Sequence, residues 1–309
     1  MRRFVLGIRV LSAVVAAAFM LAACGRAEDA TAPTVDTTNP PKPALWKIAD
    51  ADTTIYVFGT IHLLPRGMEW QTPAFTAALK EARAVYLEAD TNLAPAQIDA
   101  LVQRIGMLPP SERLSEKLDD AQRKALRAAA VRLDIPQVAL EQMRPWYASV
   151  MISDAAIRRA GFEQDSGIET LLRPAARNAG KELRYLETVE AQLSAYTTLP
   201  EAVQVKVLAA SLADLDNAAG AVTDMVTAWR SGDDATLSRL VIDEQLASQP
   251  EIYESLMVRR NQNWAPQLDA VMRNESGVFL VAVGAGHLLG ADSVLSQMER
   301  LGHPATRVQ

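Results

Sequence analysis

Two segments of this chain repeat one pattern, in which an apolar, strand-like run ends at Gly-x-x-His. The first segment covers residues 55–62 and the second covers residues 278–287. The chain has only 3 histidines, so two of the three share one local context. Imidazole binds transition metals and moves protons near neutral pH, and glycine allows a sharp backbone turn beside a ligand. The repeat therefore nominates His62 and His287 as parts of one site, although a hydrogen-bonded structural role is the alternative for each.

Apolar runs and turn residues around the first motif predict an α/β fold. Strands are expected at 44–49 and 54–59, and the Asp-rich turn between them indicates a hairpin. A helix at 73–83 and a short apolar run at 84–87 follow. This succession of strand, helix and strand is typical of a right-handed crossover in a largely parallel sheet.

The middle of the chain predicts a large helical insertion. From about 95 to 180, apolar residues recur at spacings of three and four, which is the period of an amphipathic helix. Ser166 and Glu169 fit a capping box at the start of a helix that ends at Asn178. Additional strands are expected at 183–186, 278–283 and 305–308, and additional helices at 189–196, 201–217, 221–231, 235–247, 252–273 and 291–300. The predicted fold is a mixed, largely parallel central sheet flanked by helices, with a helical subdomain at about 95–180.

The N-terminal residues predict export and a lipid anchor. Residues 1–23 combine three arginines, an apolar stretch too short to span a membrane, and small residues before Cys24, the only cysteine. This arrangement resembles the lipobox of bacterial lipoproteins, in which the cysteine becomes the acylated N-terminus. The alternative is an ordinary secretory signal with a bystander cysteine. Residues 24–44 are rich in Ala, Thr, Pro and Asp and predict a flexible tether before one domain at 45–309.

The charge balance argues against nucleic acid as a partner. The formal net charge is -6, and the leader carries three arginines and no acid, so the remainder is more acidic still. An acidic chain without a Lys/Arg-rich block binds nucleic acid poorly. The expected partners are a peptide or small-molecule substrate and, through an anchor at Cys24, the membrane. The expected location is the bacterial cell envelope, on the periplasmic face of the outer membrane.

Three candidate ligands each follow a predicted strand. In open α/β sheets, ligands bind beyond the carboxyl ends of the strands, and His62, Glu88 and His287 all follow such ends. Two imidazoles and a carboxylate can hold a divalent metal while leaving positions for water and substrate. The ion would acidify water and polarise a carbonyl, which favours metal-assisted hydrolysis. The alternative for Glu88 is that it and Asp90 simply solvate the end of a strand.

Two other polar clusters have both a functional and a simpler interpretation. Arg260 and Asn261 lie in a long predicted helix before the second motif, where a guanidinium could stabilise an oxyanion or bind a carboxylate. A solvated helix face is the alternative. Glu187 ends a predicted strand, and capping of the following helix is the simpler interpretation. The sequence has no His-Glu-x-x-His segment, no Gly-x-Ser-x-Gly segment and no P-loop.

An ordered set of motifs spans nearly all of the expected domain. Its members are Phe58-Gly59-Thr60-Ile61-His62, Tyr86-Leu87-Glu88, Leu186-Glu187-Thr188 with Glu190 and Gln192, Trp229 with Gly232-Asp233, Arg260-Asn261 with Trp264, and Val283-Gly284-Ala285-Gly286-His287-Leu288-Leu289-Gly290. Together these motifs resemble the TraB/GumN family. That family is related to the Tiki proteases and, more distantly, to erythromycin-esterase-like (EreA) and haem-binding ChaN-like proteins.

The resemblance implies a metal-dependent, peptidase-like hydrolase with an EreA/ChaN-like α/β fold. His62, His287 and Glu88 would be ligands of a divalent Mn, Co or Zn ion, with Glu88 alternatively the general base. Arg260 and Asn261 would hold the substrate or the oxyanion. A second interpretation is a lipoprotein that binds or sequesters a peptide or haem without turnover. A third is a housekeeping lipoprotein that retains the site only as structure.

Overall fold

A computed structural model describes residues 35–246 and 249–309 of the chain. The predicted signal peptide, Cys24 and the first part of the predicted tether lie outside the described residues. The described chain forms two compact units, one of residues 91–162 and 193–222, and one that holds the other described residues. Among the helices of the described chain, none combines the length and the apolar composition needed to cross a membrane.

The described residues form eight strands and thirteen α-helices. The strands are β1 (Leu45–Ala49), β2 (Thr53–Thr60), β3 (Leu64–Pro65), β4 (Ala84–Leu87), β5 (Phe162–Glu163), β6 (Glu182–Tyr185), β7 (Gly277–Gly284) and β8 (Thr306–Arg307). The helices are α1 (Pro73–Glu81), α2 (Pro95–Ile105), α3 (Asp120–Arg132), α4 (Gln137–Glu141), α5 (Pro145–Arg159), α6 (Ile168–Asn178), α7 (Val189–Thr197), α8 (Glu201–Ala213), α9 (Ala218–Ser231), α10 (Asp234–Ser238), α11 (Pro250–Tyr253), α12 (Arg259–Asn274) and α13 (Val294–Arg300).

A six-stranded mixed sheet organises the second unit, in the order β6-β4-β7-β2-β1-β8. Strands β6, β4, β7 and β2 run parallel to one another. Strand β1 pairs antiparallel with β2 on one side and with β8 on the other. The predicted hairpin and the predicted α/β fold with a largely parallel sheet are therefore confirmed.

The apolar composition of β7 predicts that both faces of this strand are buried. Its continuous apolar run is typical of a parallel strand that is covered on both faces. On one face, Phe279 packs in a buried cluster with Trp264 and Leu268 of α12. The opposite face of the sheet carries Phe58, whose ring lies 4.6 Å from that of Phe75 in α1. The sheet is thus a middle layer between helices.

The other unit is helical. Helices α5 and α8 pack against each other, with the hydroxyls of Ser149 and Ser211 2.7 Å apart in the buried contact. The Trp146 ring stacks on that of Tyr196, with centroids 5.7 Å apart. Much of the predicted helical region at about 95–180 lies in this unit, whereas α6 belongs to the unit that contains the sheet. The exact bounds of the predicted subdomain stay a prediction.

Two long predicted helices differ from the structure. The expected helix at 235–247 is α10 followed by a π-helical segment at Arg239–Leu246, and the expected helix at 252–273 contains a π-helical segment at Glu254–Val258. A π-helix has wider turns than the 3.6-residue period, so apolar spacing alone does not reveal it. The second segment ends directly before Arg259, where α12 begins.

Candidate active site

The carboxyl ends of three adjacent strands bring the predicted site residues together. Strand β7 lies between β4 and β2, so the expectation that these strands stand side by side is confirmed. Thr60, at the end of β2, pairs in register with Gly284, at the end of β7. His62 and Glu88 follow β2 and β4, and His287 lies in a short 3₁₀ turn directly after β7. Helix α12 adds Arg260 and Asn261 from its first turn.

Glu88 is a buried carboxylate that accepts hydrogen bonds from three directions. Its Oε1 accepts from the backbone N–H of Gly284 at 2.7 Å. Its Oε2 accepts from Gln192 Nε2 at 2.8 Å and from Arg260 Nη2 at 2.6 Å. Burial alone would raise the pKa of Glu88, but the charge of Arg260 and the two nearby imidazoles lower that pKa to about 2. Glu88 is therefore an anion with a fixed orientation.

Arg260 is the hub of the polar cluster. Its Nε donates to Glu187 Oε1 at 3.0 Å and its Nη2 donates to the same oxygen at 2.7 Å. Its Nη1 lies 3.0 Å from His287 Nε2. The guanidinium carbon stands 4.7 Å from the centroid of the Trp264 ring, at the distance of a cation–π contact. One buried cation thus links two carboxylates, Glu88 and Glu187, to an imidazole.

The hydrogen bonds of His287 define its tautomer. Asn261 Nδ2 donates to the Asp292 carbonyl at 2.8 Å, which leaves Asn261 Oδ1 to accept from His287 Nδ1 at 2.7 Å. Arg260 has only donors, so His287 Nε2 carries the lone pair that accepts from it. Burial and the neighbouring charge of Arg260 lower the pKa of His287 to about 3. His287 is therefore a neutral imidazole.

His62 has a different partner. Its Nδ1 lies 2.9 Å from Glu169 Oε1, and the Thr60 hydroxyl donates to the same carboxylate oxygen. Burial alone would lower the pKa of His62, but the negative charge of Glu169 outweighs it and raises that pKa. The two motif histidines therefore lie in opposite electrostatic environments, one beside a carboxylate and one beside an amide and a guanidinium.

The three predicted ligands converge on the small space beside Gly284. A Cβ atom built at this glycine would lie 3.2 Å from Glu88 Oε1, 3.4 Å from His62 Nε2 and 3.6 Å from His287 Cδ2. Two imidazoles and a carboxylate fit a divalent transition metal in donor chemistry, and each imidazole has its Nδ1 held by an oxygen, as metal-ligating histidines commonly do. Among the described residues, no group of three or more His, Cys, Asp or Glu side chains is arranged to hold a metal ion, and Arg260 contacts both Glu88 and His287.

Sequence patterns do not identify the residues that support His62 and Arg260 in the site. Glu169 is not part of a capping box, because Gly167 is the N-cap residue of α6 and makes no side-chain cap bond. Glu187 does not cap α7 either, because Thr188 Oγ1 accepts from the Ala191 N–H at 3.1 Å while Glu187 binds Arg260. Glu169 lies at the start of a helix and Glu187 lies just after a strand. At such positions the sequence pattern cannot distinguish a capping residue from a residue that supports the site. Of the predicted site residues, Cys24 lies outside the described chain.

Comparisons with known proteins agree with the motifs. No curated protein matches the chain, and no solved structure matches it. The model of the TraB/PrgY/gumN family matches residues 44–307, a range that contains the whole sheet and every described site residue. The match runs from the start of β1 to the end of β8, so it covers the cluster and the elements that position it. The chain belongs to the TraB/PrgY/gumN family.

Proposed function

We propose that this protein is a metal-dependent hydrolase of peptides or of related amides and esters. The observation that carries this function is the convergence of His62, Glu88 and His287 beside Gly284, with a buried guanidinium next to them. These are the donor types that bind Mn, Co or Zn. A divalent ion held there supplies Lewis acidity toward a carbonyl and acidifies water. Both properties favour hydrolysis of a carbonyl compound.

Glu88 acts as a metal ligand rather than as the general base in this proposal. A carboxylate whose pKa is about 2 remains anionic across the physiological range, which suits a ligand. The same low pKa makes it a weak proton acceptor, because a general base works best with a pKa near the operating pH. The three hydrogen bonds to Glu88 also fix its orientation before any ligand arrives.

Arg260 and Asn261 have different roles in this proposal. Arg260 neutralises the buried carboxylates, and its Nη1, which faces His287, is the donor best placed to turn toward a substrate carbonyl oxygen. Asn261 already uses both of its polar side-chain atoms, on His287 and on the Asp292 carbonyl. We therefore assign substrate or oxyanion contact to Arg260, and orientation of His287 to Asn261.

Metal analysis of the purified protein tests the shared site. His62→Ala and His287→Ala should each lose the metal that the wild type binds, since each variant removes one of three ligands. His303→Ala is the matched control, because this third histidine pairs with Asp269 away from the cluster. If both motif variants fold and keep metal at the wild-type stoichiometry, the shared metal site is wrong.

Turnover is tested separately, because the same residues could bind a peptide or haem without cleaving it. A peptide library is incubated with metal-free and metal-restored protein, and the products are identified by mass spectrometry. Cleavage that depends on metal and is lost in Glu88→Gln supports a hydrolase. Stoichiometric retention of peptide or haem without any product favours a sequestering lipoprotein.

The proposal includes a lipid anchor at Cys24 and a location in the cell envelope. It is supported by the lipobox-like run of small residues before this cysteine. Mass analysis of the mature N-terminus should find an acylated cysteine, and Cys24→Ser should release the protein from the membrane fraction. A mature chain that begins elsewhere, or an unmodified Cys24, would contradict the anchor.

A further inference from the structure

We infer that Glu169 is a positioning residue for His62, so that the chain holds its first histidine by a carboxylate and its second by an amide. This inference rests on the proposed metal-dependent function, because it assigns the residue that orients one of the ligands. Glu169 Oε1 is 2.9 Å from His62 Nδ1, and both side chains are largely buried. A donor–acceptor pair at this distance fixes the plane and the tautomer of the imidazole ring.

The start of α6 is built around this contact. The Ile168 N–H donates to the Ile61 carbonyl at 3.1 Å, which ties the first turn of the helix to the residue before His62. Gly167 lies so close that a Cβ atom there would be 2.1 Å from the His62 carbonyl oxygen. Only a residue without a side chain permits this approach. The backbone on both sides of the His62–Glu169 pair is therefore held in place.

A second donor fixes the carboxylate itself. The hydroxyl of Thr60, which is fully buried, donates to Glu169 Oε1, the same oxygen that His62 contacts. Thr60 is the last residue of β2, so the sheet determines where this oxygen stands. The chain of contacts runs from the sheet to Thr60, then to Glu169, and then to the imidazole.

The orienting groups differ in charge, and this difference has a chemical consequence. Asn261 offers His287 a neutral carbonyl oxygen, whereas Glu169 offers His62 a negative one. A carboxylate partner makes the opposite ring nitrogen more basic and a better electron donor to a cation. His62 is therefore the stronger of the two imidazole donors. Loss of Glu169 weakens that donor without removing any ligand.

Nitrogen NMR of the histidine rings tests the assignment in metal-free protein. With 3 histidines, the ring signals are few, and His62→Ala identifies the one that matters. At alkaline pH, wild-type His62 should have its proton on Nδ1. Glu169→Ala should shift the ring nitrogens toward the other tautomer, and Glu169→Gln should preserve the wild-type tautomer, because its amide oxygen still accepts. An unchanged His62 tautomer in a folded Glu169→Ala protein overturns the inference.

Metal affinity provides the second readout. Titration with Mn²⁺, Co²⁺ or Zn²⁺ should show an affinity about 10–100-fold lower in Glu169→Ala, with a smaller loss in Glu169→Gln. Glu163→Ala is the matched control, because Glu163 lies only six residues before Glu169 but pairs with the exposed Arg66. This variant should bind metal like the wild type. Equal affinity in wild type and a folded Glu169→Ala protein overturns the inference.

The two readouts separate this inference from the function on which it rests. If the wild type binds no divalent ion but the tautomer of His62 changes in Glu169→Ala, the positioning role stands and the proposed function fails. If the wild type binds metal and cleaves peptide while the Glu169 variants match it in both readouts, the function stands and the positioning role fails.

Discussion

Arg260 Nη2 donates to Glu88 Oε2 at 2.6 Å, and neither side chain is exposed to solvent beyond a small fraction of its surface. Such a pair is strongly interdependent, because removal of one charge leaves the other buried without compensation. The same guanidinium also serves Glu187 and His287. The stability of the cluster and its chemistry therefore depend on a single side chain.

Replacement of that side chain should destabilise the protein. Arg260→Met leaves Glu88 and Glu187 without their shared cation, and we expect the free energy of unfolding to fall by about 3–5 kcal/mol. Denaturant titration measures the change. Arg259→Met, at an exposed neighbour, should change stability by less than about 0.5 kcal/mol. A loss at Arg260 as small as that of the control would show that the buried charges are compensated in another way.

A methyl group at Gly284 should block the site while the fold persists. Its Cβ would occupy the space that Glu88 Oε1 and His62 Nε2 both border. We expect Gly284→Ala to keep the circular dichroism spectrum of the wild type and to lose at least about 10-fold in affinity for a divalent ion. Calorimetric titration measures the affinity. Wild-type metal binding by this variant would place the ion elsewhere.

Gly167→Ala should destabilise the protein through a backbone collision. The new Cβ would meet the His62 carbonyl oxygen at 2.1 Å, and a backbone atom cannot move aside as a flexible side chain can. We expect a loss of about 1–3 kcal/mol in the free energy of unfolding. The control is Gly220→Ala within α9, where the Cβ meets nothing within 4 Å and the better helix propensity of Ala should help slightly. Equal stability of the two variants would contradict the close approach.

The pKa values of the two motif histidines should be shifted in opposite directions from the ordinary value. The pKa of His287 is lowered from 6.5 to about 3, so its ring should stay neutral between these values, while the pKa of His62 is raised. Unfolded chains take up a proton at residue 287 below 6.5, so this histidine lowers native stability as the pH falls from 6.5 toward 3. His62 has the opposite sign: its contribution is present below 6.5 and is lost as the pH rises through its raised pKa. Histidine NMR signals followed against pH measure both, and protonation of His287 near 6 would contradict its burial beside Arg260.

Local pattern predicts the six strands of the main sheet, but not the short strands β3 and β5. The apolar runs that end at Gly59 and Gly284 predict β2 and β7, and topology rules for open sheets predict that residues after such strands meet. This reasoning selects His62, Glu88 and His287, which lie close together in the structure. Arg260 and Asn261 were found from the ordered motifs, although their partners within the protein were not.

The supporting contacts could not be predicted in this way because they join distant parts of the chain. The Thr60–Glu169 bond spans 109 residues and the Glu88–Gln192 bond spans 104. Periodicity reports which face of an element is buried, but not which side chain it meets. Glu169 at a helix start and Glu187 at a strand end match local roles that any acidic residue could fill there, so the simpler interpretation was wrong for both. The π-helical segment before Arg259 is invisible for a related reason, since one widened turn hardly alters an apolar pattern.

The position of β7 in the sequence limits when the polar cluster can assemble. This strand starts only at residue 277, yet it is the partner of both β2 and β4, which have no direct pairing with each other. During synthesis, His62 and Glu88 emerge about two hundred residues before β7, so a chain that ends before this strand cannot assemble the cluster. Such a late, long-range insertion is slow by its topology. The polar cluster therefore requires β7 to be in place between β2 and β4.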